Sequence, residues 1–218
     1  MYYPGGKAKT FHHVVNLMPP HRVYIEPFLG LGSVMKAKRR SEIEFGIDLD
    51  YRALELSNLI NTGIHLVQGD GIGFLEKYPF EGDEVVYCDP PYYPEVRKRS
   101  RVYRFDFDHF EHVRFLELVS GLNARIIISG YEHKIYNQYL KSWNVRTFKA
   151  KAHDGIREER LWFNFTLPTK LHDYRYLGSN FRERQAIQRR ISRIKNRLSN
   201  LTAQERSFLQ EWLTSGRE

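Results

Sequence analysis

Four consecutive residues in the middle of the chain, Asp89-Pro90-Pro91-Tyr92, combine a carboxylate, two prolines and an aromatic ring. They directly follow the apolar segment 84–88, which predicts a buried strand. Each proline fixes φ and lacks an amide hydrogen, so the turn is rigid. A rigid turn can aim the Asp89 carboxylate and the Pro90 carbonyl at one point, where an exocyclic amino group would find acceptors for both hydrogens. Because Tyr92 can stack on a base, the pattern favours a site for a planar amine taken out of a duplex stack.

A second candidate site is the glycine turn at residues 26–33, Glu-Pro-Phe-Leu-Gly-Leu-Gly-Ser, which follows a short apolar run. Gly30 and Gly32 allow the backbone to approach a ligand closely. Asp48 ends the next predicted strand 18 residues after Gly30, about where nucleotide-binding α/β folds place the acid that binds ribose hydroxyls. Asp50 is an alternative for this role. The turn lacks the Lys-Ser/Thr ending of a phosphate loop and the third glycine of a dinucleotide site, so the ligand need not carry phosphate.

Three motifs in a fixed order give the chain a family resemblance over about residues 2–164. The segment 3–7, Tyr-Pro-Gly-Gly-Lys, precedes the glycine turn, which precedes the Asp-Pro-Pro-Tyr tetrapeptide. The order of these motifs and their amino-acid sequences resemble those of the Dam-like, D12-class DNA adenine-N6 methyltransferases. Weaker similarity continues at Ser129, Tyr131, Glu159-x-Leu161 and Asn164.

The resemblance implies S-adenosylmethionine as the methyl donor and the N6 amino group of adenine in DNA as the acceptor. It implies that Asp89 and the Pro90 carbonyl accept the two N6 hydrogens and favour a more tetrahedral, nucleophilic nitrogen, while Tyr92 stacks on the base. No metal is expected. The implied cofactor-binding residues are Tyr3, Lys7, Phe28, Gly30, Gly32, Asp48 and Asp70.

The chain departs from this family in one respect that concerns DNA recognition. Such enzymes usually carry a target-recognition insertion before the tetrapeptide, but only 40 residues separate Asp48 from Asp89. We therefore expect DNA to be held by a basic loop at 94–104 and by a basic tail, with short or relaxed sequence specificity, because phosphate contacts carry no sequence information. The candidate nucleic-acid-binding residues are Arg97, Lys98, Arg99, Arg101 and Arg104 in the loop, and Arg189, Arg190, Arg193 and Arg197 in the tail.

The elements that must position these residues alternate between strand and helix along the chain. This alternation, with acidic or glycine residues at the strand ends, predicts an α/β, Rossmann-like methyltransferase sheet with helices on both faces and a ligand at its carboxyl edge. Strands are predicted at 23–25, 43–47, 64–67, 84–88 and 124–129, with two late and paired strands at 143–148 and 161–167. Helices are predicted at 33–40, 51–61, 110–122 and 133–140.

The pattern changes in the tail, so we predict a methyltransferase domain at 1–169 and a basic helical tail at 170–218. Five apolar residues from Ile187 to Leu201 are spaced four and three apart, which is typical of a coiled-coil seam. Thr202-Ala203-Gln204-Glu205 has the form of a capping box and predicts a second helix. The resulting helical hairpin is expected to contact DNA, to form a homodimer, or both.

Charge and composition set the broad class. The net charge is +8, and residues 170–200 hold nine basic and two acidic residues, which favours a polyanionic partner. The single cysteine, Cys88, excludes an internal disulfide framework and a cysteine-based zinc site. No apolar run is long enough to span a membrane, and we expect a location in the cytoplasm of a bacterial or phage-infected cell.

Three other functions fit parts of the same pattern. An RNA adenine-N6 methyltransferase could use the same pocket chemistry, whereas protein-glutamine methyltransferases carry Asn-Pro-Pro-Tyr, and this chain has Asp89. A non-catalytic nucleic-acid-binding module would be favoured by a degraded glycine turn, and the turn here is intact.

Overall fold

A seven-stranded sheet forms the centre of the protein, in the order β3-β2-β1-β4-β5-β7-β6. The computed structural model describes residues 7–96, 104–152 and 155–215, without the side chains of residues 151 and 152. The first five strands pair in parallel, and β7 pairs antiparallel with both β5 and β6. The strands are β1 (Val23–Glu26), β2 (Ile43–Asp48), β3 (His65–Gln68), β4 (Glu84–Cys88), β5 (Arg125–Gly130), β6 (Asn144–Ala152) and β7 (Gly155–Phe163).

Helices connect the parallel strands, and the α/β class predicted from the sequence is confirmed. Every residue of β1 and β4 is buried, as expected for central parallel strands that are covered on both faces. The helices are α1 (Phe11–Val15), α2 (Ser33–Ala37), α3 (Tyr51–Leu56), α4 (Gly71–Lys77), α5 (His109–Gly121), α6 (Lys134–Tyr139), α7 (Phe181–Ser199) and α8 (Ala203–Thr214), and a 3-10 turn lies at Pro94–Val96.

Two helices end earlier than the sequence predicts. The helix α3 stops at Leu56 rather than at Asn61, because Asn58 and Asn61 adopt left-handed backbone conformations with φ of 54° and 62°, which asparagine tolerates better than most residues. The helix α2 stops at Ala37 because Lys38 is extended and turns its buried ammonium group toward Glu44.

The two late strands are longer than predicted: β6 at its end and β7 at its beginning. The pattern indicated strands at 143–148 and 161–167, but β6 continues to Ala152 and β7 begins at Gly155. The added residues are mostly charged, so their alternation between faces is not visible as an apolar pattern. The strand β7 ends at Phe163, so the prediction that Leu167 belongs to a strand is wrong.

The chain divides into two compact units, Met1–Tyr174 and Arg175–Glu218. The end of the first unit is fixed to its body, since the backbone nitrogen of His172 donates to the Met18 carbonyl at 2.9 Å and the Asp173 carboxylate accepts from the Arg39 backbone at 2.9 Å. The second unit contains α7 and α8, and the capping box predicted at Thr202 is confirmed. Within the described ranges, no helix has both the length and the apolar character needed to cross a membrane.

Candidate functional site

Five of the predicted catalytic and cofactor-binding residues meet at the carboxyl edge of the sheet, where β1, β2 and β4 end: Lys7, Phe28, Gly30, Asp48 and Asp89. A cavity of about 230 Å³ opens there. Its walls include Glu26, Phe28, Gly30, Asp48 and Asp89. Residues from three different strand ends therefore share one cavity, as expected for the ligand edge of an open parallel sheet.

Asp48 accepts from the glycine turn with one carboxylate oxygen and from the residues that follow β2 with the other. Oδ2 accepts from the Gly30 backbone nitrogen at 2.7 Å, and Oδ1 accepts from the Asp50 backbone nitrogen at 2.8 Å. Gly30 and Gly32 have φ of 51° and 61°, in the left-handed region that glycine enters without strain. Burial raises the pKa of Asp48, and the two backbone donors oppose that rise. Each carboxylate oxygen keeps a second lone pair for a ligand hydroxyl.

Two residues predicted to bind a cofactor, Gly32 and Asp70, are not among the described residues that line the cavity. Gly32 caps the start of α2 and packs against the side chains of Leu59 and Leu29. Asp70 caps α4 by accepting from the backbone of Ile72 and Gly73, and it forms an ion pair with Arg114 at 3.3 Å. Tyr3 lies outside the described residues.

Gly71, at the start of α4, lies against the glycine turn. A Cβ at this position would be 2.0 Å from the Pro27 carbonyl oxygen and 3.1 Å from the Phe28 ring. Backbone cannot give way as a flexible side chain can, so only glycine lets α4 begin here.

We expect Gly71→Ala to lower the free energy of unfolding by about 3 kcal/mol or more, because the added methyl forces α4 away from the turn. Urea unfolding followed by circular dichroism measures the change. Gly69→Ala is the matched control: a Cβ there meets nothing within 4 Å, and its effect should stay within about 0.5 kcal/mol. Equal stabilities of the two variants would contradict the close approach.

Glu26 is a cavity residue that the sequence reasoning missed. It is 2% exposed, and its Oε1 accepts from the Tyr24 hydroxyl at 2.6 Å. Burial raises the pKa of Glu26 to about 8, although the Tyr24 hydroxyl and the charge of Lys38 oppose the rise. At neutral pH this carboxyl group is therefore largely protonated, at the wall of a ligand cavity. The only sequence signal was its place at a strand end before Pro27.

Asp89 is oriented by two donors that reach the same oxygen. Lys7 Nζ donates to Asp89 Oδ1 at 2.9 Å, and Ser129 Oγ donates to it at 2.7 Å. The Tyr87 hydroxyl lies 3.0 Å from Ser129 Oγ and extends the network below the turn. Among the described residues no donor reaches the second oxygen, Oδ2, which can therefore accept from a ligand. The carboxylate therefore has a fixed orientation before any ligand arrives.

Lys7, predicted to bind a cofactor, lies in the cavity wall and points at the Asp89 carboxylate. It is 6% exposed, contacts the Tyr92 hydroxyl, and lies 3.6 Å from Glu159 Oε2. Burial lowers the pKa of Lys7, but the negative charges of Asp89 and Glu159 outweigh burial and raise it above its usual value. Burial also raises the pKa of Glu159, against the opposing charge of Lys7. A buried cation thus lies between two carboxyl groups.

Pro90 and Tyr92 are buried parts of the tetrapeptide turn. The Tyr92 ring packs edge-on against Tyr131 with ring centres 4.7 Å apart, and the Arg157 guanidinium lies 5.2 Å from the centre of the Tyr131 ring. Tyr92, which is predicted to stack on a base, is therefore held on one side by a second aromatic ring.

The predicted nucleic-acid-binding residues lie in different places. Arg104 lines the mouth of the cavity and donates to Asp50 Oδ1 at 3.2 Å. Arg189, Arg190, Arg193 and Arg197 are exposed on α7. The remaining loop residues, which lie outside the described residues, are Arg97, Lys98, Arg99 and Arg101.

Comparison with known proteins identifies the fold. No protein-family model matches the chain, and no curated protein matches it. The structure is similar to SMU.1697c from Streptococcus mutans in complex with SAH, with a TM-score of 0.51, 12% identity, and coverage of 70% of this chain and 93% of that chain. It is also similar to an rRNA methylase from Streptococcus thermophilus, with a TM-score of 0.48, 13% identity, and coverage of 75% and 97%.

A further similar structure is magnesium protoporphyrin IX methyltransferase from Synechocystis with bound SAM, with a TM-score of 0.47, 15% identity, and coverage of 72% of this chain and 77% of that chain. At such low identities the likeness concerns the fold. Together with the strand order and the antiparallel β6–β7 pair, the likeness to the Streptococcus mutans structure shows a Rossmann-like fold of the kind found in SAM-dependent methyltransferases.

Proposed function

We propose that this protein transfers a methyl group from S-adenosylmethionine to the N6 amino group of adenine in DNA. The observation that carries the proposal is the Asp89 carboxylate, which Lys7 and Ser129 hold by one oxygen at the wall of the cavity. It follows a buried strand and is followed by two prolines, so its position and its neighbouring carbonyl are fixed.

The cavity residues fit S-adenosylmethionine. The left-handed Gly30 lets the backbone approach the ligand, Asp48 can accept from ribose hydroxyls, and Glu26 supplies a buried carboxyl group. This donor would supply a methyl group bonded to a positively charged sulfur.

The chain's own residues would act on the target amine. The N6 lone pair is delocalised into the adenine ring and is a weak nucleophile, so its hydrogens must be drawn to acceptors that favour a tetrahedral nitrogen. Asp89 Oδ2 and the Pro90 carbonyl are suited to accept them, while Lys7 and Ser129 keep Oδ1 in place. The methylated nitrogen is acidic and releases its proton readily, so Asp89 need not be a strong base. Positioning of two reactants in one cavity supplies much of the rate.

Labelled methyl transfer tests the proposal directly. The protein is incubated with labelled S-adenosylmethionine and, in parallel, with duplex DNA, single-stranded DNA and RNA, and the product bases are separated. N6-methyladenine in DNA is the expected product. Faster transfer to RNA would contradict the DNA assignment, and label on cytosine would contradict the adenine assignment. No binding of S-adenosylhomocysteine in calorimetry would contradict the cofactor.

The helix α7 is the proposed contact with the DNA backbone. It carries seven basic residues and one acidic residue, and none of its residues is buried. Arg189, Arg193 and Arg197 follow one another at intervals of four residues, so they lie along one side of the helix about 6 Å apart.

We expect the triple variant Arg189→Gln, Arg193→Gln, Arg197→Gln to bind duplex DNA more weakly and to reduce the slope of log affinity against log salt by about 2 to 3, since each phosphate contact contributes about 0.9. Fluorescence anisotropy at several salt concentrations measures both quantities. The control removes the same charge from exposed positions of the first unit with Lys77→Gln, Lys141→Gln and Arg146→Gln. Equal slopes for the two triple variants would exclude α7 as a backbone contact.

A further inference from the structure

The β6–β7 hairpin extends beyond the edge of the sheet that carries Asp89. The strand β7 pairs with β5 only from Arg160 to Phe163, with Arg160 opposite the last residue of β5, Gly130. Residues 155–159 of β7 and their partners 148–152 of β6 continue past that point. At about 3.3 Å per residue, this arm extends about 17 Å beyond the carboxyl edge. We call residues 148–152 and 155–159 the arm.

One face of the arm is fixed to the body of the first unit. The Phe148 ring stacks on His13 of the α1 helix with ring centres 4.1 Å apart. Arg157 Nη1 donates to the Val96 carbonyl at 3.3 Å, next to the tetrapeptide turn. Glu159 lies 3.6 Å from Lys7, which itself contacts Asp89. The arm is therefore rigidly attached at the catalytic carboxylate.

The other face of the arm is exposed and chemically mixed. Lys149 and Glu158 lie opposite each other in the strand register, and both are exposed. Ile156 is 74% exposed, a high value for a branched apolar side chain. A cation, an anion and an apolar group thus share one surface. A surface that contacts only phosphates would be expected to carry cations alone. Base edges, in contrast, present hydrogen-bond donors, acceptors and methyl groups, which a mixed surface can match.

We propose that the arm enters the major groove of duplex DNA and reads bases next to the target adenine, an inference that rests on the proposed function. The major groove is about 12 Å wide and admits a two-stranded ribbon. Lysine can donate to guanine, glutamate can accept from the cytosine amino group, and an apolar side chain can contact the thymine methyl. The arm would take the place of the recognition insertion that the segment between Asp48 and Asp89 has no room for. Specificity would then extend beyond the single adenine.

Three arm variants and one matched control test this assignment. The arm variants are Lys149→Ala, Glu158→Ala and Ile156→Ser. The control is Val145→Ser, which changes another exposed β-branched residue of the same hairpin, 48% exposed and opposite Trp162 at the far end. Methylated sites are mapped by sequencing on a randomised duplex library, and the affinity for S-adenosylhomocysteine is measured by calorimetry.

Each arm variant is expected to lower kcat/KM on the preferred site, or to relax the preference at one base pair, by on the order of tenfold, as for the loss of one base contact. The control should match the wild type, and all four variants should bind S-adenosylhomocysteine as the wild type does. Arm variants that methylate the same sites as the control, at the same rate, would overturn the inference.

Failure of the proposed function would be visible separately, as absence of DNA methylation by the wild type. The role proposed for the arm could then still be tested by measuring the affinity of the protein for duplex DNA. The inference requires that Ile156→Ser weakens binding to duplex DNA and leaves binding to duplex RNA unchanged, because the major groove of A-form RNA is too narrow for side chains to read. Equal affinities of wild type and variant for duplex DNA, or equal losses on DNA and RNA, would overturn it.

Discussion

Replacing Asp89 with alanine is expected to lower kcat for methyl transfer on the order of 10³-fold, with little change in affinity for S-adenosylhomocysteine. The substitution removes the acceptor that draws a hydrogen from the target amine, and a positioned acid or base typically contributes about 10²- to 10⁴-fold. Asp48 and Gly30, the proposed cofactor residues, are joined by a hydrogen bond that does not involve Asp89. Single-turnover transfer of labelled methyl to duplex DNA measures the rate, and calorimetry measures the affinity.

The same substitution should also destabilise the fold, which requires a control. Among the described residues, Lys7 would keep only Glu159, at 3.6 Å, as a charged partner, and breaking a buried ion pair costs about 3–5 kcal/mol. Asp89→Asn preserves the shape of the side chain and retains an oxygen for Lys7. The activity of this variant can therefore be compared with that of the wild type while both are fully folded. Asp83→Ala removes a carboxylate that forms a surface ion pair with Arg22 and should leave the rate unchanged. Wild-type rates in folded Asp89→Ala would exclude Asp89 from the chemistry.

Much of this site could be predicted from the sequence because its residues follow strands. The carboxyl ends of parallel strands share one edge, so Gly30, Asp48 and Asp89 had to meet once the strands were recognised. What surrounds them could not be predicted in the same way. Lys7 and Asp89 are 82 residues apart, and the pattern does not reveal that Lys7 turns to Asp89.

Asp70 shows the limit of interpreting an acidic residue at a strand end. An aspartate before a helix has the same sequence signature whether it binds a ligand or accepts from the first backbone amides of the helix. The Asp70 side chain accepts from such amides, and its contact with a cofactor stays a prediction. The arm shows another limit, because its charged residues carry no apolar alternation, although their cross-strand pairing is regular. Arg104 belongs to a basic run in the sequence, but its ion pair with Asp50 places it at the cavity mouth.

Glu26→Gln is expected to stabilise the protein at pH 8 by several kcal/mol. Burial raises the pKa of Glu26 from 4.5 to about 8, so between these values the unfolded chain gives up a proton that the folded protein keeps. The wild-type protein therefore loses stability as the pH rises from 4.5 to 8, by at most about 5 kcal/mol at about 1.4 kcal/mol per unit. Glutamine cannot ionise, and its oxygen can still accept from Tyr24, so the variant should lack this loss.

Chemical unfolding at pH 5 and pH 8 measures the difference, which should be small at the lower pH and large at the higher one. Glu81→Gln, at an exposed position, is the control and should change neither value. Glu26 also lines the cavity in which we propose that the cofactor binds. We therefore expect Glu26→Gln to bind S-adenosylhomocysteine more weakly while it unfolds less readily. If the variant gains stability at pH 8 but keeps full affinity, Glu26 does not contribute to cofactor binding. If the variant gains no stability, the Glu26 carboxyl group ionises in the folded protein as it does in the unfolded chain.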